Sequence, residues 1–344
     1  MKVGVTRKNS PQYLSESPPP VLYNGLHRGH FEHRPFLPQR DTMILTLLGI
    51  WGCGSESLPD SGLDPVVCNG AANHCDRPFN HVPQITTHNA YSNAEDGFAL
   101  PTPNQEVGIT QQLDDGVRSL MLDTYEWQDD LYLCHGVCGS WGARLLSDTL
   151  AEIHTWLEAN PNDVVSFILE AYITEDQTWA ALEASGLDAY VYEHAGLGEP
   201  WPTLNEMINA NQRLVVFTDD ANANGTWHLN WTAHGWETPF DDATFTCENG
   251  RGEPGGTDNQ IFILNHYRTC EVGGCPENGE TDNTYNFLLQ RAKNCWEDTE
   301  NNPANQIPTF INLDHYHVPN AGPDSECIES VEAALSLSAM WESD

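Results

Sequence analysis

The stretch Ser147–Ala171, SDTLAEIHTWLEANPNDVVSFILEA, decides the fold class. Its first half sets Leu150, Ile153, Trp156 and Leu157 three to four residues apart, the spacing of a helix with one apolar face. Ser147 suits the N-cap, and Pro161 lies just past the end. The second half, Val164–Ala171, is a compact apolar run of strand length that carries a carboxylate, Glu170, near its end. A helix followed at once by a buried strand is one step of a β/α repeat.

The same alternation extends in both directions. Strands are predicted at Val82–Thr87, Val117–Thr124, Leu131–Cys134, Val164–Ala171, Arg213–Thr218, Gln260–Asn265 and Pro308–Leu313. Helices are predicted at Ile109–Asp115, Ser147–Ala159, Glu175–Ser185, Leu204–Asn209, Thr284–Asn294 and Ser325–Leu337. Over about 260 residues this pattern predicts an α/β fold, a (β/α)8 TIM-type barrel of regular or irregular form. A doubly wound sheet is the alternative, but no G-x-G-x-x-G follows the first strand. There is no Walker loop, G-x-S-x-G, H-E-x-x-H, internal repeat or transmembrane span.

Composition narrows the partners. The 344 residues carry 14 Lys and Arg against 50 Asp and Glu, a formal charge of −36. Such a surface repels phosphate backbones and excludes nucleic acid as a direct partner. It also disfavours docking on anionic lipid by charge alone. With 39% hydrophobic residues and 10% aromatic ones, the chain is too apolar for a disordered acidic segment.

Three segments are expected: a leader over 1–52, a tether with a Cys-bearing portion over 53–78, and a catalytic barrel over 79–344. Residues 1–42 are rich in Pro, His and Arg and show no period. They read as disordered or as an extension upstream of the true start. From Met43 the run MILTLLGIW has the length of a signal h-region and is too short to span a bilayer. Ile50-Trp51-Gly52-Cys53 loosely resembles a bacterial lipoprotein box, from which Trp51 departs. That resemblance implies export, with Cys53 lipidated as a membrane anchor. The bland alternative is a buried apolar segment. Ten cysteines, several in close pairs (Cys68/Cys75, Cys134/Cys138, Cys270/Cys275), predict local disulfides and an oxidising compartment. Metal-binding C-x2-C pairs are absent.

Chemistry gathers where strands end. Alternation puts Ser119, Met121, Asp123 and Tyr125 on the inner face, with Leu120 and Leu122 outside. By the same rule Glu170 points inward, and Asn312, Asp314 and Tyr316 share a face. His88-Asn89 closes the first strand, and His135 closes Leu131–Cys134. Two His, one Asn and three acids are thus predicted at one end of the barrel, where barrel active sites form. The bland reading of each is a hydrogen-bonded structural residue. The stretch Trp227–Trp236 reads as a packed loop or a substrate-contacting rim. Arg118, His315 and His317 read as structural, and the acids of 271–306 as a solvated surface.

These stretches carry a family resemblance. Ile85-Thr-Thr-His-Asn-Ala-Tyr-Ser92, Gly116-Val-Arg-Ser-Leu-Met-Leu-Asp-Thr-Tyr125 and Leu133-Cys-His-Gly136 resemble the X domain of phosphatidylinositol-specific phospholipase C, over roughly residues 79–320. Secreted, single-domain members of that family are the most similar in layout. The resemblance implies a phosphodiesterase in which His88 is general base, His135 general acid and Asp314 the partner of His88. It implies Asn89, Asp123 and Glu170 as ligands of calcium, a cation that prefers hard oxygen donors. Tyr125 and Tyr316 are expected to touch substrate. The expected partners are a phospholipid or a soluble phosphodiester, and a monomer is expected.

Two positions depart from the family pattern. Met121 stands where eukaryotic members have a further acid, and Tyr125 where metal-independent bacterial members have an arginine. They motivate a second reading, a degenerate barrel that binds without catalysis. A glycerophosphodiester phosphodiesterase would place Glu where Asn89 stands. A glycosidase using Asp123 and Glu170 would leave both histidines unexplained.

Overall fold

The computed structural model describes residues 66–98, 102–223, 225–240, 244–268, 274–319 and 328–341. The predicted leader, the Cys53 box, the tether as far as residue 65, and Cys270 lie outside the described residues.

The elements in chain order are β1 Gln84–Thr87, α1 Ile109–Asp114, β2 Ser119–Trp127, β3 Asp130–Leu133, α2 Cys138–Trp141, β4 Arg144–Leu145, α3 Leu146–Ala159 and β5 Val165–Ala171. Then come α4 Glu175–Ser185, α5 Leu204–Asn209, β6 Leu214–Thr218, β7 His228–Asn230, α6 Trp231–His234, β8 Gly235–Glu237 and β9 Arg251–Gly252. The last are β10 Ile261–Asn265, α7 Pro276–Asp282, α8 Tyr285–Trp296, β11 Phe310–Leu313 and α9 Glu329–Met340.

Eight strands run parallel in the order β7-β6-β5-β2-β1-β11-β10-β8. The two ends of that order, β7 and β8, are joined in sequence by α6 alone. Four helical residues advance about 6 Å, so the sheet must curl until its edges nearly meet. The result is an irregular (β/α)8-type barrel. Among the described residues no ladder joins β7 to β8.

Alternation along the strands builds two cores. Leu120, Leu122, Val165, Phe167 and Leu169 face outward and pack with Leu150, Ile153, Trp156 and Leu157 of α3. Burying such a side chain contributes about 1.5–3 kcal/mol. Ile168, Val215, Phe217, Ile263 and Phe310 fill the barrel interior, with Met121 packed against them. Phe79 plugs its lower end, 5.1 Å from Trp201 between ring centres. One polar layer crosses the interior at Asn265, Asn312, Thr86, Ser119 and Ser166, which are register neighbours.

The predicted pairs Cys68–Cys75 and Cys134–Cys138 are disulfides, and Cys247–Cys295 is a third. The Cys-bearing portion packs onto the barrel: Cys68 is fully buried, and Asn69 bonds both backbone polar groups of Val164. Among the described residues no helix is long and apolar enough to cross a membrane.

Two predicted features differ. The run ending in His135 is not a barrel strand, because β3 pairs antiparallel with β2. Gln128 and Asp129, both at positive φ, close a two-residue hairpin turn between them. The shared face of Asn312, Asp314 and Tyr316 also breaks, because His315 takes a left-handed φ of 53° and ends the extended run.

Candidate active site

A cavity of about 440 Å³ opens at the C-terminal ends of the parallel strands. Its lining includes His88, Asn89, Asp123, His135 and Glu170. The motifs spaced along the chain therefore meet in one place.

His88 stands one residue past β1, and its backbone N–H donates to the carbonyl of Leu313 at 2.9 Å. Its Nδ1–H donates to Asp314 Oδ1 at 2.8 Å, and the Tyr267 ring stacks on the imidazole at 4.2 Å. This leaves Nε2 as the free edge of the ring. Burial disfavours charge on His88, but Asp314, Asp123 and Glu170 outweigh it and hold the pKa above its usual value. Burial and repulsion from His88 push the His135 ring down.

His135 reaches the cavity through hairpin register. β2 runs past the barrel rim, turns, and β3 brings the chain back until Cys134 N–H donates to the Asp123 carbonyl at 3.3 Å. The Cys134–Cys138 disulfide then staples the short segment that presents the ring.

Three carboxylates follow each other across the sheet. Asp123 of β2 is in register with Glu170 of β5, and Asp219 follows the register pair Leu169–Thr218. All three line the cavity. Burial, and then Glu170, push the Asp123 carboxyl up to about 7. Burial likewise raises Asp219, whose carboxylate accepts from the Ala171 N–H at 3.0 Å. Tyr91 donates to Asp123 Oδ2 at 3.0 Å and lies 3.4 Å from Asn89 Oδ1. Asn89, Asp123 and Glu170 all offer oxygen, so their chemistry suits calcium, whereas Met121 on the same lining offers none. Among the described residues no three His, Cys, Asp or Glu side chains are grouped to hold a metal ion.

The two tyrosines are placed differently. Tyr125 stacks on Tyr172 at 4.2 Å beside the cavity, and Tyr172 in turn donates to Glu170. Tyr316 is 1% exposed, and its hydroxyl donates to Asp115 Oδ2 at 2.6 Å. It sits in the core, away from the cavity lining, because the turn at His315 swings it off the face of Asp314. Arg118 pairs with Asp163 at 3.0 Å. The buried His315 pairs with Glu106. Within Trp227–Trp236, Trp231 lines the cavity, while Trp236 stacks on Phe262 in the core.

Sequence reasoning missed Arg251, Asp219, Asn104 and Tyr267, which all line the cavity. Asp219 carries the same signal as Glu170, an acid at the end of an apolar run. Arg251 carries none, since β9 is only two residues long. Its guanidinium pairs with Glu237 and lies 4.8 Å from the Trp231 ring centre and 4.9 Å from that of Phe240.

Known proteins resemble this chain. A family model described as PI-PLC X 1 matches residues 74–326. A PI-PLC X domain-containing protein of Arabidopsis thaliana is 29% identical, over 75% of this chain and 63% of its own. An uncharacterized secreted protein of Arthroderma benhamiae is 29% identical over 74% of this chain and 61% of its own. The chain thus spans a little over three fifths of the length of those two relatives. PI-PLC X domain-containing protein 1 of the same fungus is 29% identical over 72% of this chain and 85% of its own. A solved point mutant of the phosphatidylinositol-specific phospholipase C from Staphylococcus aureus is similar at 13% identity and a TM-score of 0.47, covering 76% of this chain and 93% of that one. With the family model matching well over half of its length, the chain belongs to the PI-PLC X-domain family.

Proposed function

We propose that this protein is an exported phosphodiesterase that cleaves a phosphoinositide-like diester through a cyclic phosphate. The observation that carries the reading is that His88, backed by Asp314, and His135 line one cavity. Imidazoles, whose ordinary pKa is about 6.5, exchange protons readily at neutral pH.

His88 Nε2 takes the proton from the hydroxyl neighbouring the phosphate. That oxygen forms its bond to phosphorus while the bond to the leaving oxygen breaks. His135 gives its proton to the leaving alkoxide, which departs as an alcohol. The products are a five-membered cyclic phosphodiester and, for a lipid substrate, a diacylglycerol. Asp314 holds the His88 tautomer and stabilises the imidazolium that forms.

Charge on the phosphoryl oxygens needs a counter-charge. Asn89, Asp123 and Glu170 would hold calcium, which supplies that charge and lowers the pKa of the attacking hydroxyl. Of the acids that hold a proton on His88, Asp314 comes first and stays its hydrogen-bond partner, while Asp123 and Glu170 are the two that a bound cation would neutralise. Arg251 is a second positive group at the cavity wall.

The experiment is hydrolysis of phosphatidylinositol and of water-soluble diesters, with and without chelator. The expected result is turnover by wild type and its loss on chelation, restored by added calcium. Undiminished turnover after thorough chelation removes the calcium assignment. No turnover of any diester under any metal condition favours the non-catalytic barrel.

A further inference from the structure

We infer that the dipeptide Asn104–Gln105 is a clasp that positions the His88–Asp314 pair. The inference rests on the reading of His88 as general base. The two partners come from the ends of neighbouring strands, His88 past β1 and Asp314 past β11. The β1–β11 ladder stops at the pair Thr87–Leu313, so it does not itself fix the side chains beyond.

On the backbone, Gln105 reinforces the last link between the strands, the bond from the His88 N–H to the Leu313 carbonyl. It is fully buried, and its Nε2 donates to the His88 carbonyl at 2.8 Å and to the Leu313 carbonyl at 3.0 Å. The two hydrogens of one amide thus tie both strand ends together. Asn104 holds the side chains beyond that link. Its N–H donates to the Ser92 carbonyl at 2.9 Å, and its own carbonyl accepts from the His315 N–H at 2.7 Å. Its Nδ2 donates to Asp314 Oδ1 at 2.9 Å, the same oxygen that His88 Nδ1 reaches at 2.8 Å.

An amide nitrogen only donates, so Oδ1 accepts from both neighbours. This keeps the Nδ1 proton of His88 on the carboxylate side and the Nε2 lone pair toward the cavity. Tyr267, stacked within 13° of parallel, blocks rotation of the ring about its face. Asn104 and Gln105 act through Asp314 and through the backbone, so they are positioning residues.

The test is a double-mutant cycle on the full chain with Asn104→Leu, Asp314→Ala and the pair, assayed on phosphatidylinositol in detergent micelles. Asn104→Ala, which also lacks the donor but adds no bulk, guards against a folding defect caused by leucine, and melting temperatures are recorded for all variants. The His88 tautomer is read in parallel by nitrogen-15 NMR at alkaline pH, with His88→Gln assigning the signal. Expected are an about tenfold or larger fall in kcat for Asn104→Leu with KM unchanged, and less than about twofold further loss when it is added to Asp314→Ala. The wild-type ring is expected to carry its proton on Nδ1 alone, and both Asn104 variants to show mixed tautomers. Independent losses in the cycle, or a tautomer unchanged in both variants, overturn the proposal. A wild-type chain inert toward every diester removes the functional reading instead, and the tautomer measurement then decides the clasp by itself.

Discussion

His88 shows what a single residue owes to its surroundings: Asp314 on one nitrogen, Tyr267 on one face, a strand end behind it. Removing either imidazole of the proposed acid–base pair, in His88→Ala or His135→Ala, is expected to cost at least ~10²-fold in kcat with melting temperature preserved. Tyr316→Phe separates site from core. Its hydroxyl serves Asp115 and not the cavity, so the variant is expected to lose about 1–2 kcal/mol of stability in denaturant titration, with activity within about twofold of wild type. A large activity loss at unchanged stability would place Tyr316 back at the substrate. The sequence made His88, Asn89, Asp123 and Glu170 visible because each follows or closes an apolar run of strand length. Tyr316 looked equivalent by alternation, but alternation holds only while the backbone stays extended, and His315 ends that. Asn104 and Arg251 sit on segments with no period to read, so only the fold brings them to the cavity.

At the scale of elements, the β2–β3 hairpin decides whether there is a second histidine in the site at all. Its turn is Gln128-Asp129 rather than the Asn-Gly or Asp-Gly that announces such hairpins, which is why the run ending in His135 read as a barrel strand. The long amphipathic α3 and the apolar β5 were legible almost to the residue, since their core-facing spacing is their sequence signal. The three-residue strands β7 and β8 were not, because three residues carry no measurable alternation and both lie within a stretch rich in Trp and His. Local cysteine pairs were readable from spacing, whereas Cys247–Cys295 spans 48 residues. Chain entropy assigns a loop of that size about 4 kcal/mol. Replacing both cysteines with alanine is therefore expected to lower the unfolding free energy by several kcal/mol in guanidinium titration, and an unchanged midpoint would mean that the bridge adds nothing.

Across the whole molecule, buried histidines couple folding to pH. Burial pushes His266 down to about 3, and His74 and His234 to about 4. An unfolded chain binds those three protons near pH 6.5, while the folded one refuses them until about pH 4. Stability therefore falls as pH drops through that window. Asp123, pushed up to about 7, works in the opposite sense and loses its contribution as pH rises from about 4 to 7. Asp219 and His88, both raised, add to the side of Asp123. His81, His135, His194 and His228, all pushed down chiefly by burial, add to the side of the three rings. The lowered rings are the larger group, so the melting temperature is expected to fall between pH 7 and 4.5, with a shallower slope in His266→Gln. A melting temperature that rises on acidification would contradict this balance.

The proposed reaction turns on proton transfer at two sides of one phosphorus. Phosphorus-31 NMR of phosphatidylinositol turnover follows the reacting atom itself. The expected first product is the strained cyclic inositol phosphate, formed by wild type and absent with His88→Ala. An acyclic phosphate appearing first, or the same cyclic product at an undiminished rate in His88→Ala, would contradict the account.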